Sequence, residues 1–230
     1  EKSMKNADMQ LACVVHSQAL AWVESPSRQV LRKRFHLVGA AEAGQVTSLV
    51  TYQPGASFSR HEHVDGEEIL VLEGLFSDEH GDWPAGSWLL NPEGFAHQPF
   101  SRDGCLLLVK LRQYTGQRQA QVYWPTTPVS PDPRVGVLLD EHAGVTTRIV
   151  TLADGELFDQ HYESGVEGFV VAGQLVLDGP ALHQYDWFRL PRGSQLTLIS
   201  RGCTIYLKEN AVAGLRHCAN AHTDAAEDTH

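Results

Sequence analysis

Two histidines one residue apart, His61 and His63, are followed four positions later by Glu67, and a further histidine, His97, stands behind the Pro-x-Gly turn of Pro92 and Gly94. On an extended strand, residues two apart point to the same side, about 6.5 to 7 Å apart along the chain, so His61 and His63 can reach one ion while Arg60 and Glu62 face away. Gly66, in the turn "VDGE", supplies a permissive backbone that lets the chain reverse and aim the Glu67 carboxylate at the same point. Three neutral imidazoles and one carboxylate form a borderline donor set for one divalent metal. It suits Zn, Fe(II), Mn(II) or Ni(II). A lone histidine on a strand is ordinarily a surface residue. The combination of H-x-H, a spaced glutamate and a distant histidine is much rarer, and it favours a metal site.

Strands must position these residues. "VTSLVTY", "EILVLEG", "GSWLLN" and "CLLLVKL" in the first half, and "TTRIVTL", "GFVVAG" and "CTIYLKE" in the second, are rich in Val, Leu, Ile and aromatic residues. Turn signals such as "EHGDWPAG" and "LDGPA" separate them, and no long amphipathic helix intervenes. That pattern predicts an all-β chain with an antiparallel sandwich or barrel in each half.

The halves are also related to each other. A shift of 100 positions aligns Thr51, Gly55, Phe58 and His61 with Thr151, Gly155, Phe158 and His161, and later landmarks keep their order: Pro92 and Gly94 with Pro191 and Gly193, Cys105 with Cys203, Lys110 with Lys208. Two copies of one module follow. They are expected over residues 1–118 and 119–210, with a short helix and a loose tail over 211–230. "LACVVHSQALA" reads as a first strand with its approach, since His16, Ser17 and Gln18 break any signal-like apolar run. The stretch from about Gln113 to Pro133 reads as the crossing between modules.

Composition narrows the partners. With 28 acidic against 18 basic residues and a formal net charge of −10, the chain offers no phosphate-binding face, so nucleic acid is not expected. No apolar stretch approaches the roughly 20 residues that span a bilayer. The cysteines Cys13, Cys105, Cys203 and Cys218 form no C-x-x-C pair, which suits a reducing, cytoplasmic setting. Cys105 and Cys203 read as small buried hydrophobes, and Asp78, Glu79, Asp82 and Glu68 as solvated acids of turns.

The first half resembles the cupin family. Gly55, five residues, His61-x-His63, three residues, Glu67, six residues and Gly74 reproduce its first motif; Gly86, five residues, Pro92-x-Gly94, two residues and His97 reproduce the second, with Ser101 where asparagine is usual. The resemblance implies two tandem cupin barrels, double-stranded β-helix jelly rolls, with His61, His63, Glu67 and His97 as metal ligands in the first. More narrowly, residues of about 20–112 look like the cupin domain of ChrR-type anti-sigma factors, in which that domain binds zinc. The H-x3-C-x2-C cluster by which those factors grip their sigma factor has no counterpart in this sequence.

The second copy departs from the motif. It keeps His161 and Glu167, but Glu163 replaces the second histidine and Leu196 stands at the place of His97. A structural barrel is expected there, with His161, Glu163 and Glu167 as a poorer donor set. Two functional readings compete for the first copy. One is a small-molecule or oxidant-responsive sensor or regulatory protein, without the sigma-binding domain. The other is an Fe(II) dioxygenase acting on a small dicarbonyl or aromatic compound. A small-molecule ligand is expected in both, with a protein partner or a homodimer as further options.

Overall fold

The computed structural model describes residues 4–114, 120–124 and 136–219. Among these it has twenty strands and two short 3-10 helices, so the all-β expectation holds. They form two compact units, one of described residues 4–5, 20–114 and 120–124, the other of 6–19 and 136–219. Each unit is one antiparallel β barrel. No helix among the described residues is long and apolar enough to cross a membrane.

In the first unit, strand Cys105–Leu111 lies between Gln45–Tyr52 and Glu67–Asp78, antiparallel to both. Val30–Val38 and Val23–Glu24 extend the sheet on one side, Trp88–Asn91 and Val122–Trp124 on the other. Strand "CLLLVKL" is apolar without alternation because both of its faces are covered. Its Leu107 and Val109 join Val30, Ile69, Val71, Phe76, Trp83 and Leu89 in the barrel core. The far half of Glu67–Asp78 pairs with Gly81–Pro84 and, through Ser77, with Phe100, closing the barrel around the histidines.

The second unit repeats this plan around the long strand Ser194–Glu209, which pairs with Val145–Leu152, Leu157–Tyr162 and Val166–Leu177. The repeat read from the sequence is carried down to single residues. Cys105 faces Tyr52 and Gly74, and Cys203 faces Leu152 and Gly173. Both paired cysteines are buried, as expected of small hydrophobes in apolar strands.

The module boundaries differ from the sequence expectation in two places. Residues 6–19 belong to the second unit, not the first: Cys13–Val15 pairs with the edge strand Trp187–Leu190, which gives its backbone groups partners. Residues Val122–Trp124, expected in the crossing, pair with Trp88–Asn91 of the first unit. The rest of that crossing, and the tail beyond residue 219, lie outside the described residues. The expected short helix is a single 3-10 turn, Val212–Gly214.

Candidate metal centre

His61 and His97 are direct cross-strand partners, on the paired strands His61–Glu62 and Ala96–His97. His63 is held just beyond them, its N–H donating to the Phe95 carbonyl and its carbonyl accepting from the Gly94 N–H, both at 3.0 Å. The Pro-x-Gly turn thus positions both His97 and His63. His63 Nε2 lies 3.0 Å from His61 Nε2 and 2.8 Å from His97 Nε2. Glu67, at the start of its strand, brings Oε2 to 3.2 Å from His63 Nε2 and Oε1 to 3.4 Å from His97 Nε2. The three histidines form a group that could hold a metal ion, and the Glu67 carboxylate lies against two of them.

Hydrogen bonds at the back of the rings fix which nitrogen carries the proton. His97 Nδ1 lies 2.9 Å from Asp78 Oδ2, and His61 Nδ1 lies 2.9 Å from the Ser59 carbonyl. A carboxylate and a carbonyl only accept, so both Nδ1 atoms carry hydrogen, and in the neutral rings both Nε2 atoms present lone pairs to His63. The single Nε2 of His63 can donate to one of them at most. At least one pair of lone pairs therefore converges unsatisfied, and a cation at that point resolves the conflict.

Electrostatics act in the same direction at His63 and in the opposite direction at His97. Burial, opposed by Glu67 and assisted by the neighbouring histidines, pushes His63 down to about 4, which keeps it neutral and free to ligate near pH 7. Burial alone would lower His97 too, but the hydrogen bond to Asp78 and the charge of Glu67 outweigh it and raise its pKa.

Asp78 is not the solvated turn acid that its hairpin position suggested. Its side chain is 1% exposed, and Oδ1 accepts from the N–H groups of His80 at 2.8 Å and Gly81 at 3.2 Å while Oδ2 holds His97. Burial raises its pKa, yet the bonds from His97 and His80 bring the net shift below the ordinary value, so it stays a carboxylate. Its bonds to the His80 and Gly81 N–H groups make an Asx turn, which the sequence does suggest, but burial against His97 comes from across the sheet. Asp78 positions the His97 ring. Asp78→Asn is accordingly expected to weaken metal affinity by about 10- to 100-fold without changing the unfolding midpoint of the metal-free protein, read by competition with a chromophoric chelator.

A second supporting chain runs to Glu67. Asn91 Nδ2 donates to Glu67 Oε1 at 3.0 Å, and Gln121 Nε2 donates to Asn91 Oδ1 at 2.7 Å. Neither amide stood out in the sequence, because nothing local marks a residue that acts across the sheet. The remaining acids serve elsewhere: Asp82 accepts from Ser77, and Glu79 accepts from Arg60 and the Gln98 N–H. Glu68 is buried beside its cross-strand partner Lys110.

The second barrel does not assemble such a group among the described residues. His161 and Glu163 are 55% and 81% exposed, and the buried Glu167 accepts from Trp187 Nε1 at 2.8 Å. The cause is strand parity. Here Tyr162 points inward and sends its hydroxyl to Glu209, so its neighbours at 161 and 163 face outward. Leu196 and Phe188 fill the interior.

Residues 10–115 match the family described as the ChrR cupin-like domain. No match was found among curated protein sequences. Among solved structures, the chain is similar to bacterial pirin YhhW in complex with nickel(II) from Escherichia coli, with TM-score 0.66 and 16% identity over 86% of this chain and 99% of that one. It is also similar to salicylate 1,2-dioxygenase from Pseudaminobacter salicylatoxidans, with TM-score 0.62 and 12% identity over 89% and 85%. A cupin 2 conserved barrel domain protein from Leptotrichia buccalis gives TM-score 0.56 and 12% identity over 90% and 99%. At these identities the structures speak for the fold alone: the chain has the two-barrel cupin fold, and its first half matches the ChrR cupin-like domain.

Proposed function

We propose that the first barrel holds one divalent metal through His61, His63, His97 and Glu67, and that a small molecule engages the ion, making the protein a metal-dependent sensor or binding module. The observation that carries this reading is the convergence of histidine lone pairs fixed from behind by Asp78 and the Ser59 carbonyl. Zinc is placed first, as the resemblance to the cupin domain of ChrR-type anti-sigma factors implies, with Fe(II), Mn(II) and Ni(II) as alternatives. When bound, the ion would supply Lewis acidity to an oxygen or nitrogen donor in an open position. A closed structural zinc is disfavoured, since such sites are rich in cysteine and the four cysteines here are free and outside the histidine group.

The chain's own residues set the conditions at this place. His61 is half-buried where His63 and His97 are buried, which leaves the approach to the ion on the His61 side. Phe58, Phe76 and Phe95 stand edge-on to His61 and His97, giving the surroundings an apolar lining.

A dioxygenase is the second reading, favoured by the fold shared with salicylate 1,2-dioxygenase. Oxygen-electrode assays of the Fe(II)-loaded protein with salicylate and with acetylacetone separate the two. The binding-module reading expects uptake no faster than with the metal-free protein. Sustained, substrate-dependent uptake that is absent in a His63→Ala variant would replace it with the enzyme.

A further inference from the structure

Backbone pairing gives each metal-site position of the first barrel a counterpart in the second. The Gly94 N–H donates to the His63 carbonyl, and the Gly193 N–H donates to the Tyr162 carbonyl, both at 3.0 Å. Tyr162 therefore stands where the first barrel has His63. His97 pairs with His61, and Leu196, behind the corresponding turn of Pro191 and Gly193, pairs with Gln160, so Gln160 stands at the place of His61. The Gly66 carbonyl accepts from the Arg112 N–H and the Gly165 carbonyl from the Asn210 N–H, which puts Val166 at the place of Glu67. All four candidate ligands are thus replaced. Glu209, directly opposite Val166 as Leu111 is opposite Glu67, brings a carboxylate to the same face of the sheet.

Glu209 is 4% exposed, and a lone buried carboxylate is costly. Arg148 answers it: Nε donates to Oε1 at 2.7 Å and Nη2 to Oε2 at 2.9 Å, the parallel fork of a guanidinium on a carboxylate. Oε2 also accepts from the Tyr162 hydroxyl, and Nη2 donates to Gln160 Oε1 at 3.1 Å. The residues at the places of His61 and His63 therefore both bond to this one ion pair. The guanidinium carbon lies over the Phe158 ring, 5.7 Å from its centre. Burial lowers the Arg148 pKa, but the bonds and charge of Glu209 raise it by more, so the guanidinium keeps its charge. Burial and the bond to Glu209 push the Tyr162 phenol up, so its hydroxyl stays a donor.

We infer that the second barrel has a cation site of its own, built on the residues that replace the metal ligands, and that the Arg148 guanidinium fills it with Glu209, Tyr162 and Gln160 as partners. The exchange is reciprocal. The first barrel has Ser48 and Leu111 where the second has Arg148 and Glu209, so each barrel has the donors for one kind of cation and lacks those for the other. A cation covalently held in the chain does not exchange, and gain or loss of a metal then acts on the first barrel alone. The comparison with a metal rests on the reading that the first barrel holds one; the guanidinium site does not, and its test uses no metal.

The test is chemical rescue in the full chain. Arg148→Ala leaves Glu209 buried with Tyr162 as its one donor, and its thermal unfolding midpoint is expected to fall by about 10 °C or more. Millimolar methylguanidinium chloride is expected to raise that midpoint saturably, where equal sodium chloride does not, and to leave wild type unmoved. The double variant Arg148→Ala, Glu209→Leu, which places the leucine of the first barrel here, is expected to recover most of the loss and to ignore methylguanidinium. An Arg148→Ala protein as stable as wild type would overturn the proposal, and so would a loss that methylguanidinium does not repair. Should Arg148→Ala not fold, the double variant decides: a folded protein with a midpoint near wild type supports the site, and a second failure to fold assigns Arg148 to packing and sinks it.

Discussion

Alanine at position 63 is expected to leave a folded protein that no longer retains metal. His63 Nε2 is the atom on which the group converges, 3.0 Å from His61, 2.8 Å from His97 and 3.2 Å from Glu67. Removing it leaves donors whose mutual spacing was set around it. The drop in affinity should exceed the roughly 100-fold upper figure for an outer partner such as Asp78, because a ligand itself is lost. Elemental analysis after dialysis reads the result, with far-UV circular dichroism as the check on folding. His161→Ala, in the second barrel, is the matched control and should keep the wild-type metal content, since its side chain faces solvent. A His63→Ala protein that held a full equivalent would show that the ion, if any, sits elsewhere.

Gly173→Ala is expected to destabilise the second barrel severely. Gly173 has φ +76°, and a Cβ there would stand 1.8 Å from the Gly202 carbonyl oxygen, a backbone atom that cannot swing aside. The left-handed backbone alone costs an alanine about 1–2 kcal/mol, and the clash must add to it. We expect a loss of about 3 kcal/mol or more, a large share of the stability of an ordinary domain. Gly155→Ala separates the two contributions: its φ is +82°, but nothing lies within 4 Å of the added carbon. Urea denaturation should place Gly155→Ala about 1–2 kcal/mol below wild type, the backbone cost alone, and Gly173→Ala clearly further below. Equal midpoints for the two variants would remove close backbone packing as the reason for glycine at 173. The equivalent glycine of the first barrel, Gly74, meets Gly104 in the same way at 2.2 Å, so the paired glycines mark the repeat as firmly as the strands do.

Much of this fold was legible because strand physics is local. Continuous apolar runs such as "CLLLVKL" became strands covered on both faces, and the two-residue step from His61 to His63 put both rings on one side, as strand periodicity requires. What stayed hidden depended on long-range pairing. Cys13–Val15 is too short to declare its partner, and Trp187–Leu190 lies far away in sequence. Asp78 read as a solvated acid because burial of a hairpin end is decided by what packs over it. Asn91 and Gln121 have no spacing motif; they act on the site across strands.

The second barrel shows the same division. Matching His161 to His61 by sequence proves one residue out of register in the structure: His97 pairs with His61, but Leu196 pairs with Gln160, and Tyr162 takes the inward position. A change of parity by one residue reverses every side chain on a strand. The repeat therefore preserved the barrel without preserving the convergence of its histidines.

Elemental mass spectrometry of the protein, purified without a metal-affinity column and dialysed against metal-free buffer, tests the central claim most directly. One divalent metal for each chain is the predicted result, with zinc first among the candidates. No bound metal, even after reconstitution with zinc, iron, manganese and nickel in turn, would contradict the account.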